Sequence, residues 1–127
     1  MKVILVDAIN TFIIEGEGIF EDMHTLLEKY PNKKIILSNA NDEEIIEFGL
    51  DKVPYELFTL KHNPDKINPQ FYKTMLKHFD LKAEDVVYFE HNIKAIESAR
   101  SVGIKAMHYD KDKKDLAELK KFLNENL

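Results

Sequence analysis

Lys2-Val3-Ile4-Leu5-Val6-Asp7-Ala8-Ile9-Asn10-Thr11 is the stretch on which the fold turns. Val3 to Val6 is an unbroken β-branched and aliphatic run, the pattern of a strand buried on both faces of a parallel sheet. Asp7 follows at once, which puts a carboxylate at the carboxyl end of that strand. In open α/β sheets ligands bind at that edge, because loops and helix N-termini converge there. Thr11 comes four residues later, near enough for its hydroxyl to share the crevice. A turn-capping role is the plainer reading of Asp7 alone, so the rest of the chain has to decide.

Downstream, Phe12-Ile13-Ile14-Glu15-Gly16-Glu17-Gly18 is too short for a helix and reads as a hairpin-like flap over the end of the first strand. Apolar residues at helical spacing predict a helix over 19–30, stopped by Pro31-Asn32. A second strand over 34–37 ends in Ser38-Asn39, and a helix from Asp42 through Phe48 follows, with acids in its first turn. Tyr55–Leu60 reads as a short edge strand. Asn68-Pro69 is an N-cap with proline at the first helical position, opening a helix that buries Phe71, Tyr72, Met75, Leu76 and Phe79. The fourth strand, 86–89, ends in Glu90-His91-Asn92. A helix from Ile93 to Val102 stops at Gly103, the fifth strand is 104–107, and an amphipathic helix over 111–126 closes the chain.

Strands alternate with helices throughout, so the expected architecture is α/β. It is a three-layer, doubly wound, Rossmann-like parallel sheet of about five strands, formed by residues 1–127 as a single domain. Right-handed crossovers gather the strand ends that carry Asp7, Ser38 and Glu90 on one side, with Lys66 just ahead of a helix.

Composition removes several classes of function. The formal net charge is −5 with no long basic run, so nucleic acid is not an expected partner. Absence of cysteine excludes a disulfide scaffold and thiolate catalysis. Neither a leader-like segment nor a membrane-length apolar run is seen, so a cytoplasmic location and no membrane partner are expected. The five histidines share no metal-ligand spacing.

With these residues in place, the chain resembles the haloacid dehalogenase-like superfamily along essentially its whole length. That family's Asp-x-Asp-x-Thr motif resembles Asp7-Ala8-Ile9-Asn10-Thr11, and its strand-ending Ser or Thr resembles Ser38. Its lysine before a helix resembles Lys66-Ile67-Asn68-Pro69, and its acidic fourth-strand end resembles Glu90-His91. The segment Ile96–Ile104 is similar to its usual helix, glycine and final strand. The resemblance implies a hydrolase of the phosphatase type, with Asp7 as nucleophile forming a covalent aspartyl intermediate. Thr11, Ser38 and Lys66 would be catalytic, and Asn10 and Asn39 would bind substrate. Asp7, the Ile9 backbone carbonyl, Glu90 and His91 would be metal ligands. Mg²⁺ is the cofactor the resemblance implies, bound weakly, with another divalent metal as the alternative.

Two positions depart from that pattern. Ile9 stands where the family's second aspartate protonates the leaving group, a contribution of about 10²–10⁴ in rate. His91 stands where an acid is expected, although Mg²⁺ wants oxygen ligands and imidazole suits transition metals. Glu90, one residue earlier on its strand, is expected to point elsewhere. Activity is therefore expected to be impaired or absent, the alternative being a non-catalytic binding or regulatory protein. Only a flap and one helix fit between Asp7 and Ser38, so no cap domain is expected, and the open site suits a phosphorylated substrate or a protein partner. A receiver-like domain shares the layered architecture and ranks third, lacking an aspartate after the third strand.

Overall fold

The computed structural model describes residues 1–127. In chain order it contains β1 (Val3–Asp7), β2 (Ile13–Ile14), β3 (Gly18–Ile19), α1 (Glu21–Leu27), β4 (Lys34–Ser38), α2 (Asp42–Glu47) and β5 (Glu56–Thr59). There follow α3 (Pro69–His78), β6 (Val86–Glu90), α4 (Ile93–Ser101), β7 (Lys105–His108) and α5 (Leu116–Asn126).

Five of the strands form one parallel sheet in the order β5-β4-β1-β6-β7, with β2 and β3 paired as a separate antiparallel hairpin. Counting sheet strands alone, the order is 3-2-1-4-5. That is the Rossmann-type winding, with β1 central and the topological switch point beside it. A receiver would wind 2-1-3-4-5, so the strand order removes that alternative.

Strand alternation sorts the core into two layers. Ile4, Val6, Ile36, Val87 and Phe89 face Met23 and Leu27 of α1 and Leu119 and Leu123 of α5. Val3, Leu5, Ile35, Leu37, Val86 and Tyr88 face Phe71, Tyr72 and Met75 of α3 and Ile96 and Ala99 of α4. All residues of β1, β4 and β6 are buried, as the apolar runs predict. Complete burial of Phe71 or Met75 contributes about 1.5–3 kcal/mol each. Asn68 caps α3 through its side chain, with Pro69 in the first turn. Only the hairpin, short helices and turns lie between the strands, so the chain carries no inserted cap domain. No helix is long and apolar enough to cross a membrane.

The differences from expectation lie at element ends. The first helix spans Glu21–Leu27 rather than 19–30, because Ile19 pairs with Ile13 in the hairpin. At its other end the Lys29 and Tyr30 amides donate three residues back, to Leu26 and Leu27, and tighten the chain into turns. The closing helix begins at Leu116 instead of 111. Asp110 Oδ1 accepts the amides of Asp112 and Lys113, Lys114 takes a positive φ of 49°, and Asp115 then caps the helix at the Glu118 amide.

Candidate active site

Asp7 ends β1 with its side chain on the same face as Val3 and Leu5, toward α3 and α4. The parallel register sets Val6 beside Phe89, so Asp7 lies next to Glu90. Glu90 shares the face of Val86 and Tyr88 and is fully buried. The expectation that Glu90 points away is therefore corrected. Its Oε1 accepts from Lys66 Nζ at 2.7 Å and from the Tyr88 hydroxyl at 2.5 Å, and its Oε2 accepts the Asn92 amide at 3.0 Å.

Lys66 reaches the site from the loop before α3. The Asn39 side-chain oxygen accepts the Lys66 amide at 2.7 Å, and Ser98 of α4 donates to the carbonyl of Ile67, fixing the loop on both sides. Lys66 Nζ then lies 2.6 Å from Asp7 Oδ1 and 3.4 Å from the Leu37 carbonyl. Burial opposes the ammonium charge, but the charges of Asp7 and Glu90 outweigh it and hold Lys66 above the ordinary lysine range.

Asp7 Oδ2 accepts from three donors. A tight turn after β1 passes through Asn10, whose φ of 68° is one that asparagine tolerates. The turn brings the Thr11 hydroxyl to 2.7 Å. The His91 amide lies at 3.2 Å and its ring Nδ1 at 2.5 Å. Burial disfavours the carboxylate. The Lys66 charge and then the His91 hydrogen bond overcome that penalty, and the carboxyl lies well below the usual carboxylate range. The same contact with Asp7, followed by that with Glu90 Oε2 at 3.2 Å, pushes His91 up from 6.5 to about 9, against its partial burial. Asp7, Glu90, Lys66 and His91 thus form an interlocked group of two anions and two cations.

The group lies at the floor of a crevice of about 340 Å³, lined also by Ile9, Asn10, Ser38 and Asn39, with Glu15, Glu44 and Phe48 farther out. Ser38 Oγ accepts the Ala40 amide at 3.0 Å, which leaves its own O–H to donate. Asn39 spends its oxygen on Lys66 and keeps its amide hydrogens. Thr11 is not among the lining residues; its hydroxyl is directed at Asp7. The sequence-level residues Asp7, Ile9, Asn10, Ser38, Asn39, Lys66, Glu90 and His91 are therefore gathered at one place, with Thr11 behind them. Sequence reasoning did not identify Tyr88. Its position two residues before Glu90, on the same face of the strand, was the available signal.

One ligand atom from each of Asp7, Glu90 and His91 lies within 4.8 Å of the others, a set that could hold a metal ion. It does not fit Mg²⁺ as arranged. Mg²⁺ requires near-octahedral oxygen ligands. Three hydrogen bonds already use the lone pairs of Asp7 Oδ2, and the third donor of the set is a nitrogen that directs its proton at that oxygen.

No family model and no curated relative matches the sequence. Solved structures do match. An uncharacterized protein from Listeria monocytogenes serotype 4b has a TM-score of 0.74 at 15% identity, over 98% of this chain and 97% of that one. A HAD-superfamily hydrolase, subfamily IA, variant 1, from Geobacter sulfurreducens has a TM-score of 0.62 at 11% identity, over 91% and 99%. A conserved haloacid dehalogenase-like protein of unknown function from Agrobacterium tumefaciens has a TM-score of 0.57 at 18% identity, over 71% of this chain and 44% of that one. The chain has the haloacid dehalogenase-like fold, in a form without a cap. Two buried carboxylates, Asp7 and Glu90, and the lysine between them stand at its switch point.

Proposed function

We propose that residues 1–127 form one hydrolase-type domain of the phosphatase kind, in which Asp7 is the nucleophile and turnover is impaired. The observation that carries this reading is the placement of Asp7 at the switch point, 2.6 Å from Lys66 Nζ, on the floor of a crevice that Ser38 and Asn39 also line. In the step this arrangement allows, an Asp7 oxygen attacks phosphorus and the bond to the leaving oxygen breaks, with its electron pair leaving on that oxygen. Water then cleaves the aspartyl phosphate. The Ser38 hydroxyl and the Asn39 amide donate to the phosphoryl oxygens.

Two features slow that sequence. Ile9 has no proton for the leaving oxygen and no base for the water, a loss of about 10²–10⁴. Asp7 is also a poorer nucleophile for every donor that must be loosened before it attacks. The four hydrogen bonds on its two oxygens favour a second reading, a non-catalytic protein that binds a phosphorylated ligand or a protein partner in the open crevice.

Hydrolysis of an aryl phosphate and an alkyl phosphate by wild type and Asp7→Asn distinguishes the two. An aryl leaving group departs without a proton, so slow, Asp7-dependent cleavage of the aryl ester, with the alkyl ester nearly inert, is the expected result. A phosphoryl adduct on Asp7, detected by mass spectrometry, should accumulate. If Asp7→Asn equals wild type on both esters, the hydrolase reading fails and the binding reading stands.

A further inference from the structure

The disagreement between the fold's usual Mg²⁺ and this donor set has a local cause in residue 91. It is the first residue after β6, and its amide already donates to Asp7 Oδ2, which pins its Cα over the nucleophile. In histidine, Nδ1 hangs from Cγ as a carboxylate oxygen does in aspartate. An acid at position 91 would therefore present its oxygen where Nδ1 now lies, 2.5 Å from Asp7 Oδ2 and 3.2 Å from Glu90 Oε2. Two cis ligands of one Mg²⁺, each about 2.0–2.1 Å from it, lie about 2.9 Å apart, whereas Nδ1 is drawn onto Asp7 Oδ2 by the hydrogen between them, so the pair as it stands is closed by a proton and not by an ion.

Electrostatics leads to the same assignment. A carboxylate at position 91 together with a divalent ion brings one net positive charge to the site. An imidazolium at position 91 brings the same, delivered on the chain itself. Either way the group around Asp7, Glu90 and Lys66 closes to neutrality. The side chain is about one-quarter exposed toward the crevice, so it occupies the entry route of an ion as well as its position.

We infer that the His91 side chain is the resident cation of this crevice, standing in for both an acidic ligand and its Mg²⁺, so that Asp7 is paired without metal and Mg²⁺ is excluded. The inference rests on reading the crevice around Asp7 as the functional pocket. It is tested by ion binding with no substrate present, so that failure of the phosphatase reading leaves the result intact.

Mg²⁺ is titrated calorimetrically, and in parallel by thermal unfolding, into wild type, His91→Asp and His91→Asn. Wild type should give no saturable heat and no stabilisation at millimolar Mg²⁺. His91→Asp, which puts an oxygen at the same point and removes the resident charge, should bind Mg²⁺ more tightly by at least the roughly 10–100-fold that outer ligand partners alone command. Its melting temperature should rise with Mg²⁺ concentration. His91→Asn supplies an oxygen without adding a negative charge and should fall between the two, which keeps the test available if the aspartate variant folds poorly. Wild-type binding as tight as that of His91→Asp overturns the inference. So does the absence of Mg²⁺ binding in both folded variants, because the position would then never have been shaped for an ion.

Discussion

Replacing Lys66 by methionine should be among the most damaging single changes in this chain, and the structure indicates by how much. Lys66 is 7% exposed, Asp7 1% and Glu90 0%. The ammonium lies 2.6 Å from one carboxylate and 2.7 Å from the other. Methionine matches the stem in volume, so no large cavity is left and the effect is almost wholly electrostatic. Removing one partner of a buried pair costs about 3–5 kcal/mol, because the charge left behind is unpaired in a medium that solvates it poorly. His91 still faces both acids and keeps the loss from doubling. At about 4 °C for each kcal/mol in a domain of this size, the melting temperature should fall by roughly 12–20 °C. Urea unfolding of wild type, Lys66→Met, Glu90→Gln and the double variant forms the cycle, with far-UV circular dichroism confirming the fold. Glu90→Gln should cost less in the Lys66→Met background than in wild type, by about 1–3 kcal/mol. A folded Lys66→Met variant that loses less than about 1 kcal/mol would show that the ammonium does not neutralise these acids, and the charge accounting of the site would fall with it.

Two further outcomes follow from the same group of residues. His91 has a folded-state pKa of about 9 against 6.5, so its stabilisation is complete below pH 6.5 and is lost as pH rises through 9. Wild type should lose up to about 3 kcal/mol over that interval in urea unfolding, and His91→Gln should lose little; a flat wild-type profile refutes the pairing. The hydroxyls of Tyr72 and Tyr88, both fully buried, should also part company. Tyr72 has no hydrogen-bond partner, so Tyr72→Phe should be neutral or stabilising, whereas Tyr88→Phe removes a bond to a carboxylate and should cost about 1.5–3 kcal/mol by the same measurement.

The sheet was legible because a parallel strand covered on both sides must be apolar along its length, and Val3–Val6, Ile35–Leu37 and Val86–Phe89 have no other good use. Asn68-Pro69 announced its helix for an equally local reason. Element ends were less visible. Whether Ile19 extends a helix or pairs across a hairpin depends on Ile13, which is nearby in space but carries no periodic signal. The polar run 111–115 has acceptable helical propensity, and the Asp110 side chain spends the backbone amides in a turn instead. Gathering Asp7, Ser38 and Lys66 at one crevice followed from topology alone. The orientation of Glu90 did not, because opposite facing of neighbours holds only within a strand and His91 lies beyond the end of β6. Counted from Tyr88, the same rule turns Glu90 toward α3 and Lys66.

The two departures from the phosphatase pattern can be understood as one. An acid at position 9 is useful only if it exchanges a proton with a group bound against Asp7. On the phosphatase reading proposed above that group is a phosphate dianion, whose approach to a carboxylate needs an excess of positive charge. Here both cations are already matched, Lys66 by Asp7 and Glu90 and His91 by the same two acids. Glu15 adds further negative charge along the crevice wall, and the His62 ring there is matched by Glu44 at 2.6 Å. An aspartate at position 9 would add yet another anion to a pocket with no cation to spare. Isoleucine there costs proton transfer but nothing in electrostatics, and its apolar side chain lines the crevice beside Ala8 and Ala40 without raising the repulsion. The resident imidazole and the missing acid are thus consistent with each other. A site that carries its own cation gives up the surplus charge that would make a proton donor at position 9 useful.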